Sequence, residues 1–153
     1  MDIVIEEGSP LAPGARALLE ESHALMTRLY PPEQNHALAP EALASADTTF
    51  FVASRGGAAL GCVAVKRHAD CAELKSFFVR ADARGAGLGA RLLARAEDAA
   101  RAEGLAVMRL ETGDALAAAT ALYVRSGYVR CGPFAAYDES PGSVFYEKRL
   151  PRG

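Results

Sequence analysis

One stretch, ELKSFFVRADARGAGLGARLLARAEDAARAEG at residues 73–104, constrains the fold of this chain more than any other. Residues 77–79 within it are aromatic or β-branched, which is typical of a buried strand. Glycines at positions 85, 87 and 89 then open a segment with apolar residues at helical spacing, and Gly104 supplies a stop. A glycine-rich first helical turn presents unpaired backbone N–H groups to an anion. We therefore predict a strand, a phosphate-binding turn and a helix.

Two general nucleotide-binding patterns compete for this turn. Gly85-x-Gly87-x-x-Ala90 satisfies the loose dinucleotide fingerprint G-x-G-x-x-G/A. That fingerprint places its glycines directly after the strand and early in a long βαβ series, whereas here five residues intervene and little chain follows. The lysine of a G-x-x-x-x-G-K-[ST] phosphate loop is absent. A purely structural glycine turn, or a site for another nucleotide, stays open as an alternative.

A more specific resemblance covers the same residues. Arg84 to Ala90 has the form R-G-x-G-[LI]-G-x, which closely resembles the coenzyme A signature of the GNAT superfamily of acetyl-CoA-dependent N-acetyltransferases. A second segment, Ala121 to Tyr128, resembles that family's A-L-Y-x-x-x-G-[FY] signature. The two occur in the right order and at a suitable separation, so the resemblance extends over about Thr49 to Leu150.

The resemblance implies one GNAT domain over residues 1–153, in the α/β (α+β) class. Its expected core is a mixed, mostly antiparallel sheet with a parallel, splayed strand pair, flanked by about four helices. The sequence patterns agree with that order. They predict strands at 3–5, 48–54, 59–68, 73–79, 105–112, 128–131 and 143–150, and helices from Pro13, at 40–46, after Gly87 and at 115–126.

The resemblance also implies a coenzyme A site and an acid. The backbone of Phe77, Phe78 and Val79 would hold the pantetheine arm of acetyl-CoA. The turn would hold the pyrophosphate through Arg84, Gly85, Ala86, Gly87, Leu88, Gly89 and Ala90. Tyr123 would protonate the departing thiolate, although an unplaced tyrosine is by default a core residue.

Glu73 is the candidate general base, with Glu111 on the neighbouring strand as a weaker one. Strand alternation predicts that Glu73, Lys75, Phe77 and Val79 share one face of the sheet. The alternative for Glu73 is a structural salt bridge with Lys75.

Many family members carry Asn or Gln seven residues before the tyrosine, where this chain has Leu116. We expect that polar contact to coenzyme A to be missing, or replaced by Thr112 or Asp114.

Two loops are expected to shape the pocket for the acceptor, which we take to be a small amine or amino acid in preference to a protein. The candidate contacts in these loops are Tyr30, Glu33, Asn35, Phe134 and Tyr137. A cationic acceptor would suit the acidic residues nearby, although surface acids are usually only solvated.

Composition excludes other classes. A formal charge of −2 and an isoelectric point near 5.9 argue against a nucleic-acid partner. The sequence contains no apolar run of membrane-spanning length, and its first ten residues lack the basic and apolar regions expected of a signal peptide. The spacing of its three cysteines and three histidines predicts no metal site. We expect a cytoplasmic enzyme that can form a homodimer. The alternative is a GNAT scaffold that senses acetyl-CoA or binds a partner without turnover, and the presence of Tyr123 favours catalysis.

Overall fold

The structure is a computed structural model that describes residues 2–32 and 38–151. The strands within these residues are β1 (Val4–Glu7), β2 (Thr48–Arg55), β3 (Ala58–Arg67), β4 (Ala72–Val79), β5 (Val107–Gly113), β6 (Val129–Cys131) and β7 (Ser143–Arg149). The α-helices within them are α1 (Pro13–Leu29), α2 (Pro40–Leu43), α3 (Leu88–Ala102) and α4 (Ala117–Arg125). The predicted elements are all present, with ends that differ by a few residues.

The strands form one sheet in the order β1-β2-β3-β4-β5-β7-β6. β4 and β5 run parallel, and every other neighbouring pair is antiparallel. Helix α3 connects the parallel strands, because two parallel neighbours need a long crossover. The predicted mixed sheet with a parallel pair and flanking helices is therefore confirmed.

Helices cover both faces of the sheet. Successive strand residues point to opposite faces, and accordingly Phe51 packs with the residues of α3 while Phe50 packs with those of α1. One buried cluster contains the apolar stripe of α3 together with Tyr123 of α4. The other contains the inner face of α1 and Leu43 of α2. We call these two sides the α3 face and the α1 face.

A β-bulge in β4 changes which side chains share a face. Ala64 of β3 pairs with Lys75, but Cys62, two residues earlier, pairs with Phe78, so β4 carries one extra residue. Ser76 absorbs it with a left-handed φ of 51°. Leu74 and Phe77 consequently both pack on the α3 face, whereas Phe78 belongs to the α1 face.

The bulge makes our prediction of one shared face wrong. Pairing of Lys75 with Ala64, an α1-face residue, places Lys75 and therefore Glu73 on the α1 face. Phe77 and Val79 contact the opposite cluster. The simple alternation from 73 to 79 fails because the extra residue at Ser76 reverses its phase.

The parallel strands separate soon after they meet. Ladder pairs join Ala72, Glu73 and Leu74 to Met108, Arg109 and Leu110, and the described residues show no β4–β5 pair beyond Leu74. The last residues of β5 pair only with β7 on its other side. A gap through the sheet results, bordered by the ends of β4 and β5.

Candidate active site

A cavity of about 870 Å³ occupies this gap. Its walls include α3-face residues such as Leu88 and Tyr123, and α1-face residues such as Met26 and Phe78. The cavity thus passes from one face of the sheet to the other between β4 and β5. Its size is typical of a small-molecule or cofactor site, and two molecules can approach each other from opposite faces.

The glycine turn forms one end of the cavity. Gly85 and Gly87 have left-handed φ angles of 88° and 77°, and a Cβ atom on either would meet nothing within 4 Å. Gly87 is the N-cap of α3 and provides no side-chain cap. The first bond into the helix runs from the Arg91 N–H to the Gly87 carbonyl at 3.2 Å. The N–H groups of the first three helical residues therefore lack helical acceptors, and a pyrophosphate fits this cradle.

Gly89 serves a different purpose from the other glycines of the turn. A Cβ atom on Gly89 would lie 2.9 Å from Leu122 Cδ2 and 3.3 Å from Phe77 Cζ. Its missing side chain therefore lets α3 pack closely against α4 and β4.

Most of the predicted coenzyme A residues are brought together here. The cavity is lined by Phe77, Phe78, Val79, Arg84, Gly85, Gly87, Leu88, Gly89 and Ala90. Ala86 lies in the turn but does not line the cavity as the described residues define it. Past Leu74, the edge of β4 that faces β5 has no ladder partner among the described residues.

Tyr123 reaches the cavity from the α3 face. Its ring packs against those of Phe77, Tyr128 and Tyr146, with centroids 5.9, 5.9 and 6.2 Å away. Only 5% of the residue is exposed, and its hydroxyl has no hydrogen-bond partner among residues 2–32 and 38–151. Burial, followed by the negative charge of Glu111, raises the pKa of Tyr123 well above its usual value. The phenol therefore stays protonated.

Glu73 is held in a polar network on the α1 face. Its Oε1 lies 2.8 Å from His68 Nε2, and its Oε2 accepts bonds from Lys75 Nζ at 3.1 Å and the Tyr137 hydroxyl at 2.6 Å. Burial opposes ionisation, but the Lys75 charge and these hydrogen bonds outweigh it and hold the pKa of Glu73 below its ordinary value. A carboxylate so stabilised is a weaker base than an ordinary glutamate.

Lys75 and Glu111 also line the cavity. Leu74 and Leu110 are paired in register and both point to the α3 face. The next residues, Lys75 and Glu111, therefore both belong to the α1 face, on opposite sides of the widening gap. Glu111 accepts a bond from the Ser143 hydroxyl at 2.9 Å.

The predicted acceptor residues have varied positions. Glu33 and Asn35 lie outside the described residues. Tyr30 is 7% exposed and does not line the described cavity. Its hydroxyl donates to Asp114 Oδ1 at 3.0 Å and accepts from the Ala115 N–H at 2.7 Å, so it ties the end of α1 to the β5–α4 connection.

Phe134 and Tyr137 belong to the loop that precedes β7. Their rings pack against each other and against Phe145, with centroids 5.2 to 5.9 Å apart. Tyr137 also receives a hydrogen bond from Lys75 Nζ at 2.7 Å. The two rings hold the loop against β7, and Tyr137 also supports Lys75 and Glu73, which line the cavity.

The position seven residues before Tyr123 carries an apolar side chain, that of Leu116. Leu116 lines the cavity together with Thr112, which is 6% exposed. Asp114 does not line the described cavity, and Tyr30 bonds to its carboxylate. Thr112 is thus the better placed of the two polar replacements considered.

Some cavity residues were not among the predicted site residues. The α1 side chains of Leu25, Met26 and Leu29 form an apolar wall that no motif marks. Lys75 had a usable signal, because it is a charged residue within a largely buried strand, and Glu111 was already the weaker candidate base. The described residues contain no group of three side chains that could hold a metal ion, and none of their helices could span a membrane.

Comparison with known proteins agrees with this geometry. Residues 15–128 match the family model for acetyltransferases of the GNAT family. A relative named IAA acetyltransferase, from Azospirillum brasilense, is 42% identical over 97% of this chain and 99% of its own length. An uncharacterized N-acetyltransferase from Bacillus subtilis is 36% identical over 88% of this chain and 91% of its own length.

Solved structures share the fold. A Klebsiella pneumoniae protein described as an acyl-CoA N-acyltransferase superposes with a TM-score of 0.82 at 33% identity, covering 97% of each chain. The PaiA N-acetyltransferase of Thermoplasma acidophilum, solved with coenzyme A, superposes with a TM-score of 0.73 at 18% identity, covering 97% and 99%. The chain therefore belongs to the GNAT family and is an acyl-CoA-dependent N-acetyltransferase.

Proposed function

We propose that this enzyme transfers an acetyl group from acetyl-CoA directly to the primary amine of a small acceptor. The observation that carries the proposal is the cavity through the gap between β4 and β5. The glycine turn and Tyr123 reach it from the α3 face, and carboxylate and ammonium side chains reach it from the α1 face. The donor and acceptor therefore meet at the gap from opposite sides, in the arrangement that direct attack requires.

When bound, acetyl-CoA supplies a thioester whose carbonyl carbon is the electrophile. The N–H groups at the start of α3 hold the pyrophosphate, and the β4 segment Phe77–Val79 lies beside the pantetheine path. Backbone N–H groups on the β4 edge past Leu74 are released from pairing with β5, so they can donate to the carbonyl oxygen as charge develops on it.

Glu111 accepts the proton of the attacking amine. It lines the cavity on the α1 face, where the acceptor enters, and Tyr123 approaches from the other face. Glu73 is less suited to this role because three hydrogen bonds and a lowered pKa stabilise its charge. Glu73 instead holds Lys75 and Tyr137 in position through its hydrogen bonds. A direct catalytic role for Glu73 stays a prediction, which Glu73→Gln would support by a loss of kcat with unchanged KM.

Tyr123 donates to the departing thiolate. The ordinary pKa values of a thiol and a phenol are about 8.5 and about 10. Burial that keeps Tyr123 protonated also disfavours a thiolate at the same place, so the proton is drawn towards sulfur. The unpartnered hydroxyl supports this role, because an unsatisfied buried polar group normally needs a reason.

The test is release of free thiol from acetyl-CoA in the presence of a panel of small amines, amino acids and IAA, the compound named for the Azospirillum relative. We expect turnover with at least one primary amine and thermal stabilisation by acetyl-CoA but not by NAD. At a hundredfold excess over Kd, ligand linkage contributes about 2.7 kcal/mol. Stabilisation by acetyl-CoA without turnover of any acceptor would instead support the sensor alternative.

A further inference from the structure

The α1-face end of the cavity presents the carboxylate of Glu111 and the ion pair of Lys75 with Glu73 to whatever enters it. Lys75 and Glu111 follow the last paired residues of β4 and β5, so they begin on neighbouring strands and diverge with the gap. Both line the cavity, and the Lys75 side chain keeps 11% of its surface exposed there. An acceptor that meets both residues is complementary if it carries both an ammonium and a carboxylate.

One N–H donor of the Lys75 ammonium is available for such a carboxylate. An ammonium has three N–H donors, and two of those on Lys75 have partners within the described residues, Glu73 and the Tyr137 hydroxyl. Glu73 does not depend on Lys75 alone, because His68 and Tyr137 also bond to its two oxygens. Lys75 is therefore held in place by the network while one N–H remains for a ligand.

The network also orients the lysine. A long lysine side chain is normally free to rotate and loses entropy when it binds. Here Glu73 lies on the same strand and Tyr137 arrives from the loop before β7, so two directions fix the ammonium. A charge held in this way at the wall of a partly buried cavity is preorganised for an anion.

Apolar side chains of α1 and β4 form one wall of the acceptor end. Leu25, Met26 and Leu29 of α1 face the cavity, and Phe78 closes it from β4. Leu38 contributes to the same wall. An acceptor whose body is hydrocarbon or aromatic would bury apolar surface there, at roughly 25 cal/mol per Å² of area removed from water.

We propose that the acceptor is an α-amino acid with an apolar side chain. Lys75 binds its carboxylate, Glu111 faces its amine, and the α1 wall receives its side chain. The proposal rests on the function proposed above. The amine nitrogen bonds to the acetyl carbon as the C–S bond breaks, Glu111 takes the amine proton, Tyr123 supplies the thiol proton, and the products are an N-acetyl amino acid and free coenzyme A.

Matched acceptor pairs test the role of the carboxylate. L-phenylalanine and phenethylamine differ by one carboxylate, as do L-leucine and 3-methylbutylamine. For the wild-type enzyme we expect kcat/KM at least tenfold higher for each amino acid than for its amine. Lys75→Met should lower kcat/KM for the amino acids by tenfold or more, mainly through KM, and leave the amines within about twofold. Lys75→Arg should restore part of the preference.

Lys66→Met is the matched control. Lys66 lies on β3, opposite Glu73, and does not line the described cavity. It should leave the preference unchanged, and calorimetry should show that all three variants bind acetyl-CoA as the wild type does. Equal kcat/KM for both members of a pair, or equal losses for both in Lys75→Met, would refute carboxylate recognition while the proposed function stands. An enzyme that binds acetyl-CoA but acetylates neither class, nor any amine of the wider panel, would refute both proposals.

Discussion

Tyr123→Phe should lower activity without lowering stability, and the two effects follow from the same structural fact. The Tyr123 hydroxyl is buried beside the cavity and has no partner among the described residues. Phenylalanine keeps the ring contacts with Phe77, Tyr128 and Tyr146. A buried unsatisfied polar group costs about 1–3 kcal/mol, and water in the cavity can offset part of that cost. We expect the free energy of unfolding of the ligand-free variant to be unchanged or about 1 kcal/mol higher.

The loss of activity should be large. A positioned general acid contributes about 10² to 10⁴ in rate, so kcat should fall at least about a hundredfold, equivalent to about 2.7 kcal/mol of barrier. Acetyl-CoA affinity should change little, because the thioester sulfur of the ground state is a poor acceptor. The assays are thiol release under saturating substrates, calorimetry with acetyl-CoA, and urea unfolding without ligand.

Tyr128→Phe provides the matched control within the same aromatic cluster. Its ring lies 5.9 Å from that of Tyr123, and it is also buried, at 2% exposure. Its hydroxyl, however, donates to Glu97 Oε2 at 3.0 Å, and Lys148 bonds the other oxygen of that carboxylate at 2.9 Å. Removing this hydroxyl should cost about 1–3 kcal/mol of stability and leave kcat within a fewfold of the wild type.

The reasoning is refuted if the two variants do not separate in this way. Full kcat in Tyr123→Phe would leave water or the substrate as the proton donor. Loss of acetyl-CoA binding in that variant would make Tyr123 a coenzyme contact. A destabilisation of Tyr123→Phe equal to that of Tyr128→Phe would mean that its hydroxyl has a stabilising partner.

Two further predictions concern the glycine turn and the packing of Gly113 against Tyr30. Ala90→Glu, in the first turn of α3, should weaken acetyl-CoA binding tenfold or more by charge repulsion, yet stabilise the free protein by about 0.3–1 kcal/mol through the helix dipole. Ala94→Glu is the control, because Ala94 is exposed and lies one helical turn further on. If calorimetry showed equal acetyl-CoA affinities for the two variants, the turn would be only structural. Gly113→Ala should cost about 1–3 kcal/mol in urea unfolding, because its Cβ would overlap the hydroxyl oxygen of Tyr30 and the ring carbons next to it. That cost should shrink in a Tyr30→Phe background, and an unchanged cost would show that the overlap is relieved elsewhere.

Sequence patterns sufficed for the local elements. The glycine turn and the helical apolar spacing of α3 depend on residues close together in the chain, and both are present. The strand–helix–strand order likewise required β4 and β5 to run parallel. Most residues assigned to coenzyme A line one cavity for the same reason, since they belong to a single continuous segment.

Contacts between distant segments were not predictable in the same way. Tyr30 bonds to Asp114 and Ala115, which lie 84 and 85 positions further along the chain. Tyr137 bonds to Glu73, which lies 64 positions before it. Both were predicted as acceptor contacts because their loops were expected near the pocket. Neither lines the described cavity, and each ties its segment to a neighbouring element. Which partner a loop side chain finds depends on how the whole sheet brings the loops together.

What the sequence alone determined is therefore the family, the phosphate-binding turn and the order of strands and helices, all of which follow from local spacing. The tertiary structure decided which charges reach the gap. Ser76, a non-glycine residue with a φ of 51°, forms the β-bulge that adds one residue to β4, and no local sequence pattern predicts it. It sends Lys75 to the acceptor side and Phe77 to the coenzyme side, because one added residue reverses the alternation of every side chain beyond it.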